Sequence, residues 1–400
     1  MIAALLAVAL SLSAAEPTAK PRVPPPWGTG ASAAEDLEIG LVIFGPGPDV
    51  ASWFGHAALA VKDRKLKKSR LYNYGEFSFD AVMLGRFVLG HLNFWLGERA
   101  VERTLDLYRK EGRAIRTLEL ALSPQERMDV ARFLADNALP DNKHYRYDHF
   151  TDNCATKPRD VLDKAIGGKL QKASSTARMT LREHTLRHTS VFMPVGWALD
   201  FVLNDTVDVP LSTWEEAFLP SELERSVRAA GLVKAEVINN AVGSLARDDS
   251  PSLFPWLLLL GLLSATTSIA LAMRSPRALA AWTSVFALLG GIPGAALFVM
   301  WSFTDHVVTY GNENILLANP LTWLAGAFGV AALLGSKRAL RILPSLWMVL
   351  AVGALAGLCI KVLPWFDQAN APHLALFVPA VLGNAIAWRM CRRRDTPAGR

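Results

Sequence analysis

One of the three cysteines in the chain has surroundings that favour chemistry. Cys359 and Cys391 lie in or beside long apolar runs, whereas Cys154 lies in the polar segment Tyr147–Asp160, which reads Tyr-Asp-His-Phe-Thr-Asp-Asn-Cys-Ala-Thr-Lys-Pro-Arg-Asp. A structural disulfide in an exported domain needs two cysteines, and Cys154 has no second one in its half of the chain. Polar and charged neighbours are unusual around a core thiol, so we expect a nucleophile rather than a buried small hydrophobe.

A thiol becomes a good nucleophile when a neighbouring histidine stabilises the thiolate. His56 is the candidate base. It is the first residue of a predicted apolar strand, where core packing does not explain a polar imidazole. A third polar group must hold the imidazole tautomer, and the next predicted strand offers Asn73, Tyr74 and Glu76. Strand alternation places Asn73 on one face and the other two on the opposite face, which does not choose between them. We favour Asn73.

The residues next to the thiol also offer donors for a tetrahedral oxyanion, namely the backbone N–H of Cys154 and the side chain of Asn153. A helix beginning at the cysteine would place Pro158 about one turn in, where proline disturbs the i−4 carbonyl. Either the helix kinks there, or Thr156 caps a helix that starts later and the cysteine lies on a tight turn.

The elements that must position these residues indicate an α+β domain. Ser123-Pro-Gln-Glu126 is a capping signal for a helix. The segment Gly85–Gly97 has apolar residues at helix-like spacing, which predicts core packing or the wall of a groove for an acyl chain. The basic run 62–70 predicts the loop of a hairpin, either solvated or in contact with anionic headgroups. Apolar runs typical of strands cover residues 38–44, 56–61, 71–79 and 116–122.

Charge is distributed very unevenly between the two halves of the chain. Residues 1–250 hold 31 Lys and Arg against 32 Asp and Glu, whereas residues 251–400 hold 11 against 4. The basic excess therefore lies in short clusters between apolar runs and does not form the basic face of a folded domain. This distribution argues against a nucleic-acid partner.

The C-terminal half predicts an all-α transmembrane bundle of about five helices. Basic clusters follow the first, third and fifth spans, which places those connections in the cytoplasm and the N-terminal half outside. We expect a multi-pass protein of the inner (cytoplasmic) membrane with its catalytic domain on the periplasmic side. The predicted spans are 253–273, 278–303, 321–336, 342–363 and 374–390. The predicted divisions are a signal peptide (1–15), a flexible leader (16–37), an exported domain (38–247), a transmembrane domain (253–390) and a cytoplasmic tail (391–400).

Three motifs carry a resemblance to a known family: Phe54–Val61 (Phe-Gly-His-Ala-Ala-Leu-Ala-Val), Tyr72–Phe79 (Tyr-Asn-Tyr-Gly-Glu-Phe-Ser-Phe) and the Cys154 segment. The order of histidine before cysteine is similar to circularly permuted papain-like folds. With the multispan C-terminal half, the chain resembles the Lnb-type lipoprotein N-acyltransferase family and, more distantly, the lecithin:retinol acyltransferase-like enzymes. The resemblance implies that Cys154 accepts the acyl group and that His56 is its base.

The resemblance also implies the substrates: a phospholipid as acyl donor and the N-terminal amine of a diacylated lipoprotein as acceptor, with no metal or other cofactor. Candidates for substrate binding are Arg159 and Arg182 for a phosphate, unless they form ion pairs, and His306, Asn312 and Asn314 in a predicted outer loop of the bundle.

Two other functions fit the residues. An exported cysteine peptidase or amidase acting on cell-wall peptide would use water in place of the amine. A non-enzymatic envelope assembly protein would carry an incidental cysteine. The histidines at positions 91, 184 and 188 have no metal-ligand spacing around them, and we expect them to be structural or surface residues.

Overall fold

The computed structural model describes residues 23–78, 81–239 and 247–395. Within them the chain divides into two compact units. The first runs to Val191 and resumes over Pro210–Asp249, and the second comprises Phe192–Val209 together with the chain from Ser250 onward. The predicted signal peptide and residues 16–22 of the predicted leader lie outside the described residues.

The first unit is built on one seven-stranded sheet with the strand order β6-β4-β3-β2-β1-β5-β7. Every neighbouring pair of strands is antiparallel. Strands β1 to β4 follow one another in the sheet, whereas β5, β6 and β7 reach the two sides of this group through connections that contain helices. The sheet and its helices confirm the α+β prediction. The strands are β1 Leu37–Phe44, β2 His56–Asp63, β3 Lys68–Glu76, β4 Asn93–Arg99, β5 Ile115–Leu120, β6 His144–Arg146 and β7 Val233–Asn239.

Both faces of the central strands are covered by helices. Side chains that alternate along β1 and β2, such as Leu41 and Leu59, belong to the main core, which also takes in Leu134. Val42 and Ala58 point to the opposite face and pack in a smaller cluster. This burial on both faces explains why these strands read as nearly continuous apolar runs. The helices of the unit are α1 Pro26–Thr29, α2 Ala81–Leu89, α3 Val101–Lys110, α4 Pro124–Asn137, α5 Thr156–Ala165, α6 Lys169–Lys172, α7 Leu181–Thr189, α9 Thr213–Glu216 and α10 Pro220–Ala229.

The segment Gly85–Gly97 is not one helical stretch as its spacing suggested. Helix α2 ends at Leu89, and Gly90 has a φ of 82°, a left-handed conformation that stops a helix. Strand β4 then begins, so the prediction missed a strand. Phe94 and Trp95 of β4 are buried in the sheet, which fits core packing for this part of the segment.

The residues just before β1 also differ from the prediction of a flexible leader. Trp27 of α1 is fully buried, and its Nε1 donates a hydrogen bond of 2.9 Å to the hydroxyl of Tyr72. A large aromatic ring buried with its N–H satisfied stabilises a packed segment, so the described residues from Pro26 onward belong to the domain.

Among the described residues, the second unit contains five helical spans long and apolar enough to cross a membrane, which confirms the predicted bundle. The third span, Glu313–Leu333, joins a short 3-10 helix to the α-helix that follows it. Its helices are α8 Met193–Val202, α11 Phe254–Arg274, α12 Pro276–Phe303, α13 Pro320–Leu333, α14 Lys337–Cys359 and α15 Ala371–Asp395. The sequence placed residues 192–209 in the exported domain, but the structure groups them with the bundle. The physical reason is that Phe201 and Val202 are buried in the bundle core.

Candidate active site

Cys154 lies in a turn that leads directly into α5. The side-chain oxygen of Asn153 accepts hydrogen bonds from the backbone N–H groups of Ala155 (2.8 Å) and Thr156 (3.0 Å). The Thr156 hydroxyl accepts a 2.7 Å bond from the backbone N–H of Asn153 in return. This reciprocal arrangement closes the turn that carries the cysteine, immediately before the first turn of α5.

Pro158 explains why regular helix is recognised only from Thr156 onward. Proline has no N–H to donate to the carbonyl of Cys154, four residues earlier, so the first i−4 bonds in this stretch come from Lys157 and Arg159. The cysteine therefore lies on a turn, as in the second of the two alternatives, but Asn153 supplies the cap oxygen for that turn.

The cap role also changes the expectation for Asn153 as an oxyanion donor. Its side-chain nitrogen donates to the carbonyls of His149 at 2.7 Å and Phe218 at 3.0 Å, and the residue is buried. An amide nitrogen has two hydrogens, and both are used. The amide is therefore not free to bind an oxyanion, and its contribution is to hold the turn in place.

His56 is the first residue of β2 and is half-buried. It follows Gly55, whose φ is 77° and whose Cβ, if it had one, would lie 2.9 Å from the carbonyl oxygen of Phe44. Only glycine fits this turn without strain. The imidazole stacks against Phe44 and Tyr108, with ring centroids 6.0 and 6.4 Å apart, so its ring plane is fixed by packing.

The structure brings Cys154, His56 and Asn73 together in one hydrogen-bonded line. The Nε2 of His56 pairs with the side-chain oxygen of Asn73, and the imidazole also hydrogen-bonds to the Cys154 side chain. Since Nε2 is taken, Nδ1 is the nitrogen left for the sulfur. The amide oxygen of Asn73 can only accept, which makes Nε2 a donor in either protonation state and orients the ring.

The electrostatics of the pair favour a thiolate beside an imidazolium. Burial alone raises the pKa of Cys154, but the charge of His56, its hydrogen bond and the backbone N–H groups of Ala57 and Cys154 lower the pKa below its usual value. Burial likewise lowers the pKa of His56, while the charge and hydrogen bond of Cys154 and the bond that Nε2 donates to Asn73 raise the pKa overall. Opposite charges in contact outweigh the cost of burying each group.

Tyr74 and Glu76 form their hydrogen bonds with residues other than His56. The Tyr74 hydroxyl donates a 2.6 Å bond to the side-chain oxygen of Asn137 on the main-core face, opposite Asn73. Glu76 accepts two bonds from Arg99, at 2.8 and 2.7 Å. We therefore assign Tyr74 and Glu76 to the support of the sheet.

Simple alternation fails for Glu76 because β3 has a bulge. The pairing of β3 with β4 shifts between Tyr74 and Glu76, and Gly75 has a φ of 100°. A Cβ on Gly97, the partner of Asn73, would collide with the Glu76 carboxylate, so Glu76 lies on the Asn73 face. The extra residue exchanges the faces of the strand after it, and the sequence shows no bulge except as a glycine.

Three tyrosines near the sulfur were not singled out from the sequence. Burial and the Cys154 charge both raise the pKa values of Tyr145 and Tyr147. The pKa of Tyr108 rises to about 12, mainly through burial and against the opposing charge of Arg113. All three hydroxyls stay protonated at neutral pH. The sequence contains one indication that two of them are near the sulfur: Tyr145 and Tyr147 shortly precede the cysteine.

The two arginines proposed for a phosphate are both buried. Arg159 stacks over the Trp214 ring at 3.9 Å and donates to the Trp214 carbonyl and to Asp160. Arg182 of α7 is only 3% exposed. Arg159 thus matches the ion-pair alternative, and neither side chain offers an open guanidinium to a ligand.

The second unit contains the three other predicted binding residues. Asn312 and Asn314 are fully buried, and both donate to the carbonyl of Phe201, at 3.2 and 2.8 Å. They fasten α8 into the bundle and so act in structure. His306 is half-buried, and its carbonyl accepts from Thr309 at the start of a short turn.

Among the described residues, one group has the composition of a metal site: His184, Glu216 and Glu222, all buried. The Nε2 of His184 pairs with Glu216 at 2.7 Å, and its Nδ1 accepts from Arg187 at 3.0 Å, so neither nitrogen is free. Arg187 also binds Glu222 at 3.0 Å. The group is a buried ion network in which His184 pairs with Glu216 and Arg187 with Glu222.

An α+β domain carrying a Cys-His-Asn line, in a chain whose second half has five candidate membrane spans, defines a multi-pass membrane protein with a domain outside the bilayer. Residues 24–187 match the family model of the Lnb N-terminal periplasmic domain, and residues 247–390 match that of the Lnb transmembrane domain. The chain belongs to the Lnb family, and its N-terminal domain is periplasmic. No curated protein and no solved structure matches the chain.

Proposed function

We propose that the protein is a cysteine-dependent acyltransferase of the inner membrane. It would move an acyl chain from a phospholipid, through a Cys154 thioester, to the N-terminal amine of a diacylated lipoprotein. The observation that carries the proposal is the line Cys154–His56–Asn73, in which the sulfur, the base and the group that orients the base are in hydrogen-bond contact. The substrates come from the family resemblance.

In the first half-reaction the Cys154 thiolate attacks the carbonyl carbon of the phospholipid ester. The tetrahedral intermediate carries a negative oxygen next to the sulfur, within reach of the backbone N–H groups of Ala57 and Cys154 that bond to the sulfur itself. When the intermediate collapses, the bond to the alkoxide breaks and the His56 imidazolium supplies its proton. The products are a lysophospholipid and an acyl thioester.

In the second half-reaction the lipoprotein amine attacks the thioester carbonyl. The now neutral His56 accepts the proton that the amine loses, and the Cys154 thiolate leaves, which restores the starting ion pair. Asn73 keeps the same ring nitrogen facing the sulfur through both steps, because its oxygen accepts from Nε2 whether or not Nδ1 carries a proton.

The test is mass spectrometry of lipoprotein N-termini in cells that lack their own N-acyltransferase. Wild type should convert the free amine to the N-acyl form, whereas Cys154→Ala and His56→Ala should leave it free. Cys359→Ala, which removes an exposed thiol from the bundle, is the matched control and should acylate normally. A free amine with wild type would overturn the transferase, and acylation by both site variants would overturn the mechanism.

A further inference from the structure

The loop before β2 determines where the His56 imidazole lies, because the histidine is the first residue after it. The loop is held by local bonds: the Trp53 Nε1 donates to the Pro48 carbonyl at 3.2 Å, and the Gly55 N–H donates to the Ser52 carbonyl at 3.0 Å. These bonds shape the loop but do not fix it against the rest of the domain.

His188, near the end of α7, supplies a contact from outside the loop. Its Nδ1 lies 2.9 Å from the carbonyl oxygen of Trp53, and its ring stacks on Phe54 with centroids 5.1 Å apart. A carbonyl can only accept, so Nδ1 carries the hydrogen and the ring is the Nδ1–H tautomer. The contact therefore clamps the two residues that immediately precede Gly55 and His56.

The clamp carries a cost that an apolar residue would avoid. His188 is 3% exposed, and its Nε2 is a buried atom without a hydrogen-bond partner in the ranges that the structure describes. An unsatisfied buried acceptor costs about 1–3 kcal/mol. A phenylalanine would keep the stacking without this cost, so the part that only histidine contributes is the bond to the Trp53 carbonyl.

Helix α7 is itself anchored, which makes His188 a fixed support. Arg187, the preceding residue, donates to the Nδ1 of His184 at 3.0 Å and to the carboxylate of Glu222 at 3.0 Å. His184 in turn pairs with Glu216 at 2.7 Å. The ion network described above thus holds α7 at the position from which His188 reaches the loop.

We propose that His188 is a positioning residue for His56: its Nδ1–H holds the Trp53 carbonyl and thereby places the imidazole against the Cys154 sulfur. The inference rests on the proposed roles of Cys154 and His56 as the reacting pair. It predicts that loss of this one donor weakens the activation of the sulfur while the domain stays folded.

The positioning group does not titrate together with the pair that it positions. Burial first, and then the charges of Arg187 and Arg178, lower the pKa of His188 to about 4, so it stays neutral at physiological pH. The other charged group that acts on His56 besides Cys154 is Arg113. Variants at position 188 leave all of these side chains in place, so a change in the pH profile of Cys154 reports the position of the imidazole.

The experiment measures alkylation of Cys154 by iodoacetamide against pH in the full chain, in detergent micelles. Peptide mass spectrometry separates its adduct from those of Cys359 and Cys391. The variants are His188→Phe, which keeps the stack, and the pair His188→Asn and His188→Gln, since an asparagine amide reaches the position of Nδ1 and a glutamine amide that of Nε2. We expect about fivefold slower alkylation near pH 7 for Phe and Gln, equivalent to one hydrogen bond of ~1 kcal/mol, and near wild-type rates for Asn.

The outcomes separate the inference from the proposed function. The inference is overturned if wild-type Cys154 is activated and all three variants keep its pH profile, even when their melting temperatures fall. It is also overturned if Asn and Gln behave alike. If Phe does not fold, the comparison of Asn with Gln decides. If wild-type Cys154 reacts like an ordinary thiol, the proposed mechanism is overturned. The inference about His188 is then overturned with it, because there is no activated pair to position.

Discussion

Replacing His56 with glutamine should raise the pKa of the Cys154 thiol and move its ionisation to alkaline pH. In the wild type the imidazolium charge and its hydrogen bond lower the pKa of the thiol, against burial, which raises it. The thiolate therefore forms below the pH at which a free thiol ionises. In His56→Gln the charge is gone and burial remains, so the pKa should rise above its wild-type value and alkylation should become fast only in alkaline solution.

The magnitude follows from the ionised fraction. An ordinary thiol of pKa about 8.5 is only about 3% thiolate at pH 7, so a sulfur that loses its ion pair should react at least about 30-fold more slowly, equivalent to ~2 kcal/mol. Two unit charges about 4 Å apart at an effective dielectric of about 20 attract by ~4 kcal/mol, which is enough to supply this and to offset part of the burial cost.

The assay follows the iodoacetamide adduct of Cys154 between about pH 4 and pH 10, with the denatured wild type as the reference thiol. Because the pKa of His56 is raised, the ion pair exists between the lowered thiol pKa and the raised imidazole pKa, and acyl transfer should be bell-shaped across that window. The reasoning is refuted if native and denatured wild type alkylate with the same pH midpoint, or if His56→Gln leaves the native midpoint unchanged.

Three further predictions follow from the structure. Asn73→Ala should slow acyl transfer about 10-fold or more and move the alkaline limb of the pH profile to lower pH, since the bond that the imidazole donates to Asn73 raises the imidazole pKa. Tyr74→Phe, on the opposite face, should lose ~1 kcal/mol of stability and leave the pH profile unchanged. Gly75→Ala should destabilise the domain by about 1–3 kcal/mol in thermal unfolding, because its φ of 100° strains any other residue while its Cβ meets no clash. Lys361→Met should lower the stability of the bundle in detergent by about 2–4 kcal/mol, since it leaves the buried Glu313 carboxylate without the ammonium group 2.7 Å away. Lys361→Arg keeps a positive charge at this position and should retain most of that stability.

Much of the fold could be predicted from local sequence patterns, namely runs of apolar residues and helix-capping residues. The apolar runs of β1 and β2 and the long spans of the bundle are local signals, and so is Ser123, whose cap with Glu126 forms as expected. Strand β4 was missed because its apolar residues followed those of α2 without a break in hydrophobicity. Only the conformation of Gly90 separates the two elements, and a glycine in a sequence does not state its φ.

The reacting residues of the candidate site could be predicted from the sequence, but the groups that donate hydrogen bonds in it could not. Cysteine and histidine are rare enough that their surroundings alone indicated Cys154 and His56. Asn153 was misassigned because an asparagine next to a nucleophile has the same sequence whether its amide faces a substrate or caps a turn. The carbonyls of His149 and Phe218 decide between these roles, and both carbonyl positions depend on the tertiary fold.

The activation of the sulfur also depends on a break in the sheet. The pairing of β2 with β3 begins at Leu59, so Ala57 has no partner on β3, and its N–H bonds to the Cys154 sulfur instead. A backbone donor costs no side-chain entropy to hold in place and stays fixed while the charge on the sulfur passes to the oxyanion. The bulge at Gly75 lets β3 diverge at this point, next to the cysteine, whose Cβ would lie in ordinary contact at 3.7 Å from a Cβ on Gly75. Regular pairing through Gly75 would consume the Ala57 N–H, and the thiolate would lose a donor that no substitution of the catalytic residues could restore.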